Sequence, residues 1–253
     1  MSSFTTPAIM LRRIDFGDYD LIITFLTLGR GKIPVIVKSA KKSTKRFSGI
    51  LELFSALDLV CSVGRRKGLP ILQEATLTQP FAGIRSSIRK TAYASYCAEL
   101  INEWLEGDEK QPLLYHLLHH VLAELDSDQI PEAALSILFQ MRFMAISGLS
   151  PNLRHCGVCR LEMEKMAQDS VVFDLGKGGL ICKRCATGST GRISLSKGTI
   201  KQLQWIENGP LAKAERIRFS SQSLKEGLEF LETFVPYHLG KEVRSLKFLK
   251  QIR

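Results

Sequence analysis

PAIMLRRIDFGDYDLIITFLTLGRGKIPVIVK (residues 7–38) contains three short runs rich in Ile, Val, Leu, Thr and Phe, separated by the turn sequences GDY and GRG. Two similar runs follow at residues 56–63 and 70–77, on either side of GRRKG. Such runs between Gly-rich turns are typical of strands joined in hairpins. Five strands are too few for an immunoglobulin-type sandwich and suit a small closed barrel. We therefore predict an N-terminal OB-fold barrel over residues 1–80.

Helical spacing of apolar residues replaces this pattern from about residue 84, in a series that begins at Ile88. Gly and Pro residues divide the region into three helices, and helical periodicity returns near the end of the chain. The stretch between these helical regions is polar and Gly-rich. The sequence predicts an α+β multidomain protein in which a helical domain, residues 81–150 and 193–253, carries an insertion at residues 151–192.

The insertion contains two C-x-x-C pairs, CGVC and CKRC, with 22 residues between them. Each pair forms a tight turn that aims two thiolates at one point, and two such turns supply the tetrahedral sulfur set that zinc accepts. Four sulfurs leave no open position for water or substrate, so we predict one structural Zn2+ per chain in a zinc-ribbon-like arrangement. The predicted ligands are Cys156, Cys159, Cys182 and Cys185.

Cations crowd this predicted metal centre, namely Arg154, Arg160, Lys183 and Arg184. One interpretation is that they offset the net negative charge of a zinc ion bound to four thiolates. The other is that the cysteine turns contact DNA. The sequence leaves both open.

The chain as a whole is basic, with a formal net charge of +10 and a pI near 9.4, which favours polyanionic partners. Two basic runs fall in barrel connections and would line one groove, where cations follow phosphates while Phe16, Tyr19 or Phe47 stacks on unpaired bases. Arg13 on the first strand is included in this surface. The predicted nucleic-acid contacts are Arg13, Lys38, Lys41, Lys42, Lys45, Arg46, Arg65, Arg66 and Lys67.

A third basic patch lies at the end of the chain, where cations and apolar residues alternate at helical spacing. The pattern predicts a helix that packs by its apolar stripe and exposes its cations to DNA or to an acidic peptide tail. The candidate partner-binding residues are Lys241, Arg244, Lys247 and Lys250.

The order of these parts resembles the RecO family of bacterial DNA repair and recombination mediators. The resemblance rests on the LR strand, the aromatic-Gly-acid turn, L-T-x-x-x-G-K at residues 26–32, K-x-A-K-K at residues 38–42 and R-F-x-G-x-L-E at residues 46–52, and it continues through LTQPFAGIR and FMAISGLSPNLRHCGVC. It covers nearly the full length. Ser39 stands where Gly is usual in the family, Phe16 where Tyr is common and Leu53 where Pro is frequent. Some members lack the zinc cysteines.

The lack of a membrane-spanning stretch and of a signal-peptide pattern predicts a cytoplasmic protein, and the resemblance implies a nucleoid-associated protein that is not an enzyme. RecO-like proteins bind single- and double-stranded DNA, anneal complementary strands and, with RecR, help load RecA onto single-stranded DNA coated by the single-strand-binding protein SSB. They also contact the acidic, apolar C-terminal tail of SSB through their helical region. The basic residues at the end of this chain would suit such a tail.

Other functions stay open at this point. A zinc-ribbon accessory protein that binds RNA and a non-enzymatic adaptor for acidic partner proteins would share the same charge. A metal-dependent nuclease is the enzymatic alternative, but no clustered carboxylates accompany the basic loops. The sequence contains neither a G-x-S-x-G nucleophile elbow nor a P-loop, and no apolar stretch is long enough to span a membrane.

Overall fold

The structure is a computed structural model. It describes residues 2–42, 46–64, 68–107, 109–186, 191–211 and 217–253. The chain forms two compact units, one of Met1–Gln129 with Val243–Arg253 and the other of Ile130–Glu242. This division differs from the three predicted domains, whose boundaries stay a prediction.

The first unit begins with a closed barrel in which the strands follow the order β1-β2-β3-β5-β4. Its strands are β1 (Ser2–Phe16), β2 (Asp20–Thr27), β3 (Gly31–Val37), β4 (Ala56–Val63) and β5 (Ile71–Gln79). Neighbouring strands are antiparallel except β3 and β5, which are parallel. The α+β fold class with an N-terminal OB-like barrel is confirmed.

Strand β1 closes the barrel because its two halves pair with different strands. Its first half pairs with β4, from Ser2 opposite Val63 onward, and its second half pairs with β2 as far as Phe16 opposite Asp20. An irregularity between Met10 and Arg12 marks the change. Beyond it, residues 12–16 are exposed on both faces. The β1–β2 hairpin end therefore offers its side chains to solvent.

The barrel core follows from the alternation of apolar residues that strands require. In β3, buried and half-buried positions alternate through all seven residues. Met10, Ile23, Phe25 and Val35 have no exposed surface. Burying such side chains stabilises the barrel by about 1.5–3 kcal/mol each.

The helices of the first unit are α1 (Ala82–Arg85), α2 (Ile88–Trp104), α3 (Pro112–Ser127) and, from the end of the chain, α7 (Arg244–Ile252). The apolar stripe of α7 packs on α2, with Leu246 and Leu249 buried. The Glu99 carboxylate on α2 accepts hydrogen bonds from the backbone N–H groups of Arg244 at 3.1 Å and Ser245 at 2.7 Å. A carboxylate at a helix N-terminus satisfies amides that lack helical partners.

The second unit contains α4 (Glu132–Ile146), α5 (Lys197–Asn208) and α6 (Ser221–Leu239), with a small antiparallel sheet of β6 (Ser170–Asp174), β7 (Gly179–Ile181) and β8 (Arg192–Ser196). The sheet order is β7-β6-β8. Phe173 of β6 packs against Phe230 and Phe234 of α6, with ring centroids 4.7 and 5.5 Å apart. Strands β6 and β7 form a hairpin between the two cysteine pairs. None of the helices within the described residues combines the length and apolar character needed to cross a bilayer.

Candidate nucleic-acid interface and metal centre

The first basic run forms a turn that is fixed to the tip of the β1–β2 hairpin. The Asp20 carboxylate accepts a hydrogen bond from the Ser39 backbone N–H at 2.8 Å, and the Lys41 N–H donates to the Tyr19 carbonyl at 3.0 Å. Ser39 has φ +55°, in the left-handed region that glycine adopts most easily. Ser39 therefore occupies a position that glycine, the residue implied by the family resemblance, would adopt with less strain.

Two lysines of this turn are paired with carboxylates of the hairpin. Lys38 Nζ lies 2.6 Å from Asp20 Oδ2, and Lys41 Nζ lies 3.0 Å from Asp15 Oδ2. The hydrogen bond from Lys38, assisted by the Ser39 amide, lowers the pKa of Asp20 below its ordinary value of 3.8. Both pairs are solvent-exposed, so they contribute little stability and exchange readily with other ions.

Two further cations of this run, Lys42 and Arg46, contact aromatic rings. Lys42 Nζ lies 3.4 Å above the centroid of Tyr19, and the Arg46 guanidinium lies 4.8 Å from that of Phe47. Arg46 also donates to the backbone carbonyls of Leu72 and Gln73 on β5. Its charge is therefore held at the barrel wall.

The three aromatic residues predicted to stack on bases differ in exposure. Phe16 and Tyr19 are each 47% exposed at the hairpin tip, whereas Phe47 is 5% exposed and belongs to the barrel core. Of the three, only Phe16 and Tyr19 are exposed enough for a base to reach, and Lys42 covers one face of Tyr19. The sequence could not separate them, because all three are aromatic residues near basic ones.

Arg13 and Lys41 lie on the same surface pocket of about 370 Å³, which Asp15 and Glu52 also line. Arg13 donates from Nη1 to the Leu51 carbonyl at 3.2 Å. The structure thus brings together Arg13, Lys38, Lys41 and Lys42 around the hairpin. Of the other predicted contacts, Arg46 lies at the barrel wall, and Lys45, Arg65, Arg66 and Lys67 lie outside the described residues.

The four cysteines of the two C-x-x-C pairs meet at one point. Their sulfur atoms all lie within 4.8 Å of one another, and Cys159 Sγ and Cys182 Sγ are 3.6 Å apart. A tetrahedral ion with metal–sulfur bonds of about 2.3 Å would place its sulfurs about 3.8 Å apart. The donor set and its spacing therefore fit a four-coordinate metal ion.

Backbone hydrogen bonds build this cluster. The Arg160 N–H donates to the Cys156 carbonyl, and the Cys185 N–H donates to the Cys182 carbonyl, each at 3.0 Å. These two hydrogen bonds close the two cysteine turns. Gly157 N–H donates to the Leu180 carbonyl on β7 at 2.8 Å and ties the first turn to the hairpin. Cys182 follows β7 directly, so the β6–β7 hairpin returns the second pair to the first.

The thiols experience opposite electrostatic influences. Burial raises the pKa of Cys156, but hydrogen bonds from the amides of Cys159, Cys182 and Val158 outweigh it and bring that pKa to about 6. The Cys182 side chain, together with burial, raises the pKa of Cys185 to about 12. Four adjacent thiolates repel one another, so full deprotonation requires a cation among them, and the site leaves no coordination position for a substrate.

Of the predicted partner-binding residues, Arg244, Lys247 and Lys250 lie on α7 in the first unit, whereas Lys241 lies near the end of the second. All four are exposed, and Phe248 on α7 is 43% exposed. The predicted alternation of a buried apolar stripe and exposed cations is present in α7. The sequence reading missed Phe248, whose position between two lysines on an amphipathic helix was the available signal.

Comparison with known proteins identifies the family. The model of the N-terminal domain of recombination protein O matches residues 1–81, and that of its C-terminal domain matches residues 85–247. The DNA repair protein RecO of Desulfosudis oleivorans is 46% identical over 258 residues, which cover 100% of this chain and 99% of that protein. The protein of the same name from Desulfatibacillum aliphaticivorans is 43% identical over 254 residues, with 100% and 98% coverage.

The chain belongs to the RecO family of DNA repair proteins. The predicted resemblance to RecO is confirmed, and with it a role in DNA repair and recombination. The cysteine cluster of this RecO chain is compatible with the predicted metal site. The individual DNA contacts and partner-binding residues stay predictions.

One feature of the RecO chain was missed altogether. Trp205 on α5 is 43% exposed and lies in a surface pocket with Arg154, near the first cysteine pair. An aromatic residue on the cationic face of helix 197–208 was the signal available in the sequence.

Proposed function

We propose that this RecO chain is a non-enzymatic recombination mediator that binds single- and double-stranded DNA and anneals complementary strands. With RecR, it would help load RecA onto single-stranded DNA coated by SSB. The observation that carries the proposal is the basic turn, defined as residues 38–42, held at the tip of the β1–β2 hairpin, where Phe16 and Tyr19 are exposed. Cations beside exposed aromatic rings are the combination that binds single-stranded nucleic acid.

The ion pairs of the basic turn are compatible with this role. DNA phosphates can replace Asp15 and Asp20 as partners of Lys41 and Lys38, because exposed pairs are weakly held. Each phosphate neutralised releases counterions, so affinity falls steeply with salt and depends little on sequence. The Asp20 carboxylate would still hold the turn through the Ser39 amide.

Annealing requires no bond chemistry. Two complementary strands repel each other through their phosphates, and a surface of lysines and arginines reduces that repulsion while bases pair. Phe16 and Tyr19 would stack on unpaired bases, and the bases would leave the rings as they pair and stack within the duplex.

We further propose that zinc occupies the cysteine cluster. Four thiolates at the observed spacing match the preference of Zn2+ for sulfur and tetrahedral geometry. Bound zinc would cross-link the chain: it would hold together the two cysteine turns and the end of β7.

The partners follow from the family. RecR, RecA and SSB are proposed because RecO-like proteins act with them, and a DNA role would place the chain at the nucleoid. The SSB tail is acidic and apolar, which suits the exposed Phe248 and the lysines around it. Charge reversal by Lys247→Glu and Lys250→Glu should weaken binding of an SSB-tail peptide at least tenfold in fluorescence anisotropy, and unchanged binding would place the tail elsewhere.

The central experiment measures annealing of two complementary oligonucleotides pre-coated with SSB at two salt concentrations. The variant Lys38→Ala/Lys41→Ala/Lys42→Ala should anneal at least tenfold more slowly, with a weaker salt dependence. A matched control with the same charge loss is Lys110→Ala/Lys177→Ala/Lys225→Ala, which removes three exposed lysines that do not belong to the basic turn. Equal rates for the two variants would reject the assignment, and no annealing by the unaltered chain would reject the mediator role.

A further inference from the structure

A surface pocket of about 790 Å³ lies within the second unit, between α5 and the chain around the first cysteine pair. Arg154, Glu162 and Glu164 line one side, and Lys201 and Trp205 of α5 line the other. Helix α5 buries Ile200, Leu203 and Ile206. Its opposite face is thereby left to present Lys201 and Trp205, which are one turn apart, to solvent.

The two sides of the pocket are tied together by hydrogen bonds. Arg154 donates from Nη2 to Asn208 Oδ1 at 3.1 Å, and Gln204 donates from Nε2 to the Leu153 carbonyl at 2.7 Å. These contacts fix the distance between helix α5 and the segment before Cys156. The pocket is therefore formed before any ligand arrives, which lowers the entropic cost of binding.

The lining combines groups that recognise a nucleotide. Trp205 exposes 43% of its surface, and an indole face is a good stacking surface for a base. Arg154 and Lys201 supply positive charge for phosphates on both sides of the pocket. Glu162 is paired with Lys165 at 2.7 Å, so its negative charge is partly compensated.

The carboxylates also indicate which bases fit. Carboxylate oxygens accept hydrogen bonds from exocyclic amino groups, as glutamate does from cytosine. Cytosine and adenine carry such a group and thymine does not. Glu162 and Glu164 would therefore favour dC and dA over dT, whereas a stacking surface alone does not discriminate.

We propose that this pocket is a second DNA site, which takes one unpaired base of single-stranded DNA stacked on Trp205. The flanking phosphates face Arg154 and Lys201, and bases with an amino group are preferred. Bases inside a duplex are stacked on their neighbours and cannot enter, so the site selects single strands. The inference rests on the proposed annealing function, for which a second strand-binding surface, on a different unit from the basic turn, is useful because two strands must be held.

The chain has two tryptophans, so Trp104→Phe leaves Trp205 as the only indole reporter. This protein is titrated with dC, dA and dT oligonucleotides of equal length and with a duplex, while Trp fluorescence and the anisotropy of a labelled strand are followed together. Stacking should quench Trp205 with single strands, at about threefold lower concentration for dC or dA than for dT. The duplex should produce little quenching.

Substitutions sharpen the assignment. Binding of single-stranded DNA to the Trp205 pocket should weaken about tenfold in Trp205→Ala, made in the otherwise unaltered chain, and in Arg154→Ala/Lys201→Ala. Lys225→Ala, an exposed lysine on α6 of the same unit, is the matched control and should have no effect. Quenching that persists in Lys38→Ala/Lys41→Ala/Lys42→Ala would establish that this site is independent of the basic turn.

The outcomes separate this inference from the proposed function. An anisotropy increase without quenching, or equal quenching by the duplex, would overturn the pocket while DNA binding by the chain stands. Quenching without preference for dC or dA would overturn the role of the carboxylates. No anisotropy change with any DNA would overturn both the pocket and the proposed function.

Discussion

The barrel and the cysteine-bearing unit solve the same problem in different ways. Each holds exposed cations on a tight turn. Each of these turns contains a non-glycine residue with a φ near +60°, which is Ser39 in the basic turn and Arg160 after the first cysteine pair. In the barrel, an apolar core and the Asp20 carboxylate fix the turn. In the cysteine unit, four sulfurs around one point take that role.

This difference indicates which perturbation should destabilise each unit. Apolar burial needs no cofactor, so the barrel depends only on its side chains. A cluster of four thiols without a cation gains little from being assembled, because thiolates repel and thiols bond weakly. We expect the two units to respond to different perturbations, and the predictions below test that separation.

Metal removal should have the largest effect. A chelator, or Cys156→Ser with the buried Sγ lost, should destabilise the second unit by several kcal/mol, since structural metal binding contributes directly to folding. Hydrogen exchange should show lost protection at Val172 and Leu180 in the β6–β7 hairpin and unchanged protection at Ile23 and Val35 in the barrel. Equal loss in both units would break the comparison.

The reverse perturbation is a cavity in the barrel. Phe25 has no exposed surface, and Phe25→Ala should lower the free energy of unfolding of the first unit by about 3–5 kcal/mol. Denaturant titration with metal content measured in parallel gives the check. The cysteine cluster should keep its metal, and co-release of metal with barrel unfolding would show that the units are not separable.

Much of this organisation could be predicted from the sequence, for identifiable reasons. The five strands follow from short runs rich in Ile, Val, Leu, Thr and Phe between Gly-rich turns, and the cysteine cluster follows from the two C-x-x-C pairs. Such signals are local. The burial of Phe47 and the pairing of Lys38 with Asp20 depend on contacts between residues distant in the chain, so the pattern could not reveal them.

The pocket at Trp205 was hidden for the same reason. It needs Arg154 and α5 side by side, although they are about 50 residues apart in the chain. Periodicity marks α5 as amphipathic but does not say what faces its exposed side. Sequence reading is therefore strong on elements and motifs and weak on surfaces made by two distant segments.

Removing the competing carboxylates should sharpen the assignment of DNA binding to the basic turn. Asp15→Asn frees Lys41 without touching the Ser39 amide, so affinity for single-stranded DNA should rise a few-fold at low salt. Asp20→Asn should raise it less, because the turn also loses its charged acceptor. Anisotropy at two salt concentrations measures both, and Asp18→Asn on the same hairpin is the control.

The pH dependence of the turn has a definite sign. The pKa of Asp20 is lowered in the folded chain, so its pairing with Lys38 stabilises the turn above the ordinary value of 3.8 and is lost only as the pH falls through the lower folded pKa. DNA affinity between pH 5 and 8 should therefore not change through Asp20. A shift in that range, measured in the unaltered chain but absent in Asp20→Asn, would contradict the observed pairing.

The smallest predicted effect concerns Ser39. Its left-handed backbone costs a non-glycine residue about 1–2 kcal/mol, and glycine would remove that cost at an entropic penalty of roughly 0.5–1 kcal/mol. Ser39→Gly should thus stabilise the first unit by up to about 1 kcal/mol and leave DNA affinity unchanged, because the Asp20 carboxylate binds the backbone N–H and not the side chain.

Ser48→Gly is the control: Ser48 does not adopt a positive φ, so glycine there should destabilise slightly. Denaturant midpoints of the two variants decide the matter. If Ser39→Gly is as destabilising as Ser48→Gly, the basic turn does not hold the left-handed conformation in solution. The Asp20 carboxylate then does not fix the turn, and the contrast with the cysteine turns, which sulfur fixes, is wrong for the barrel.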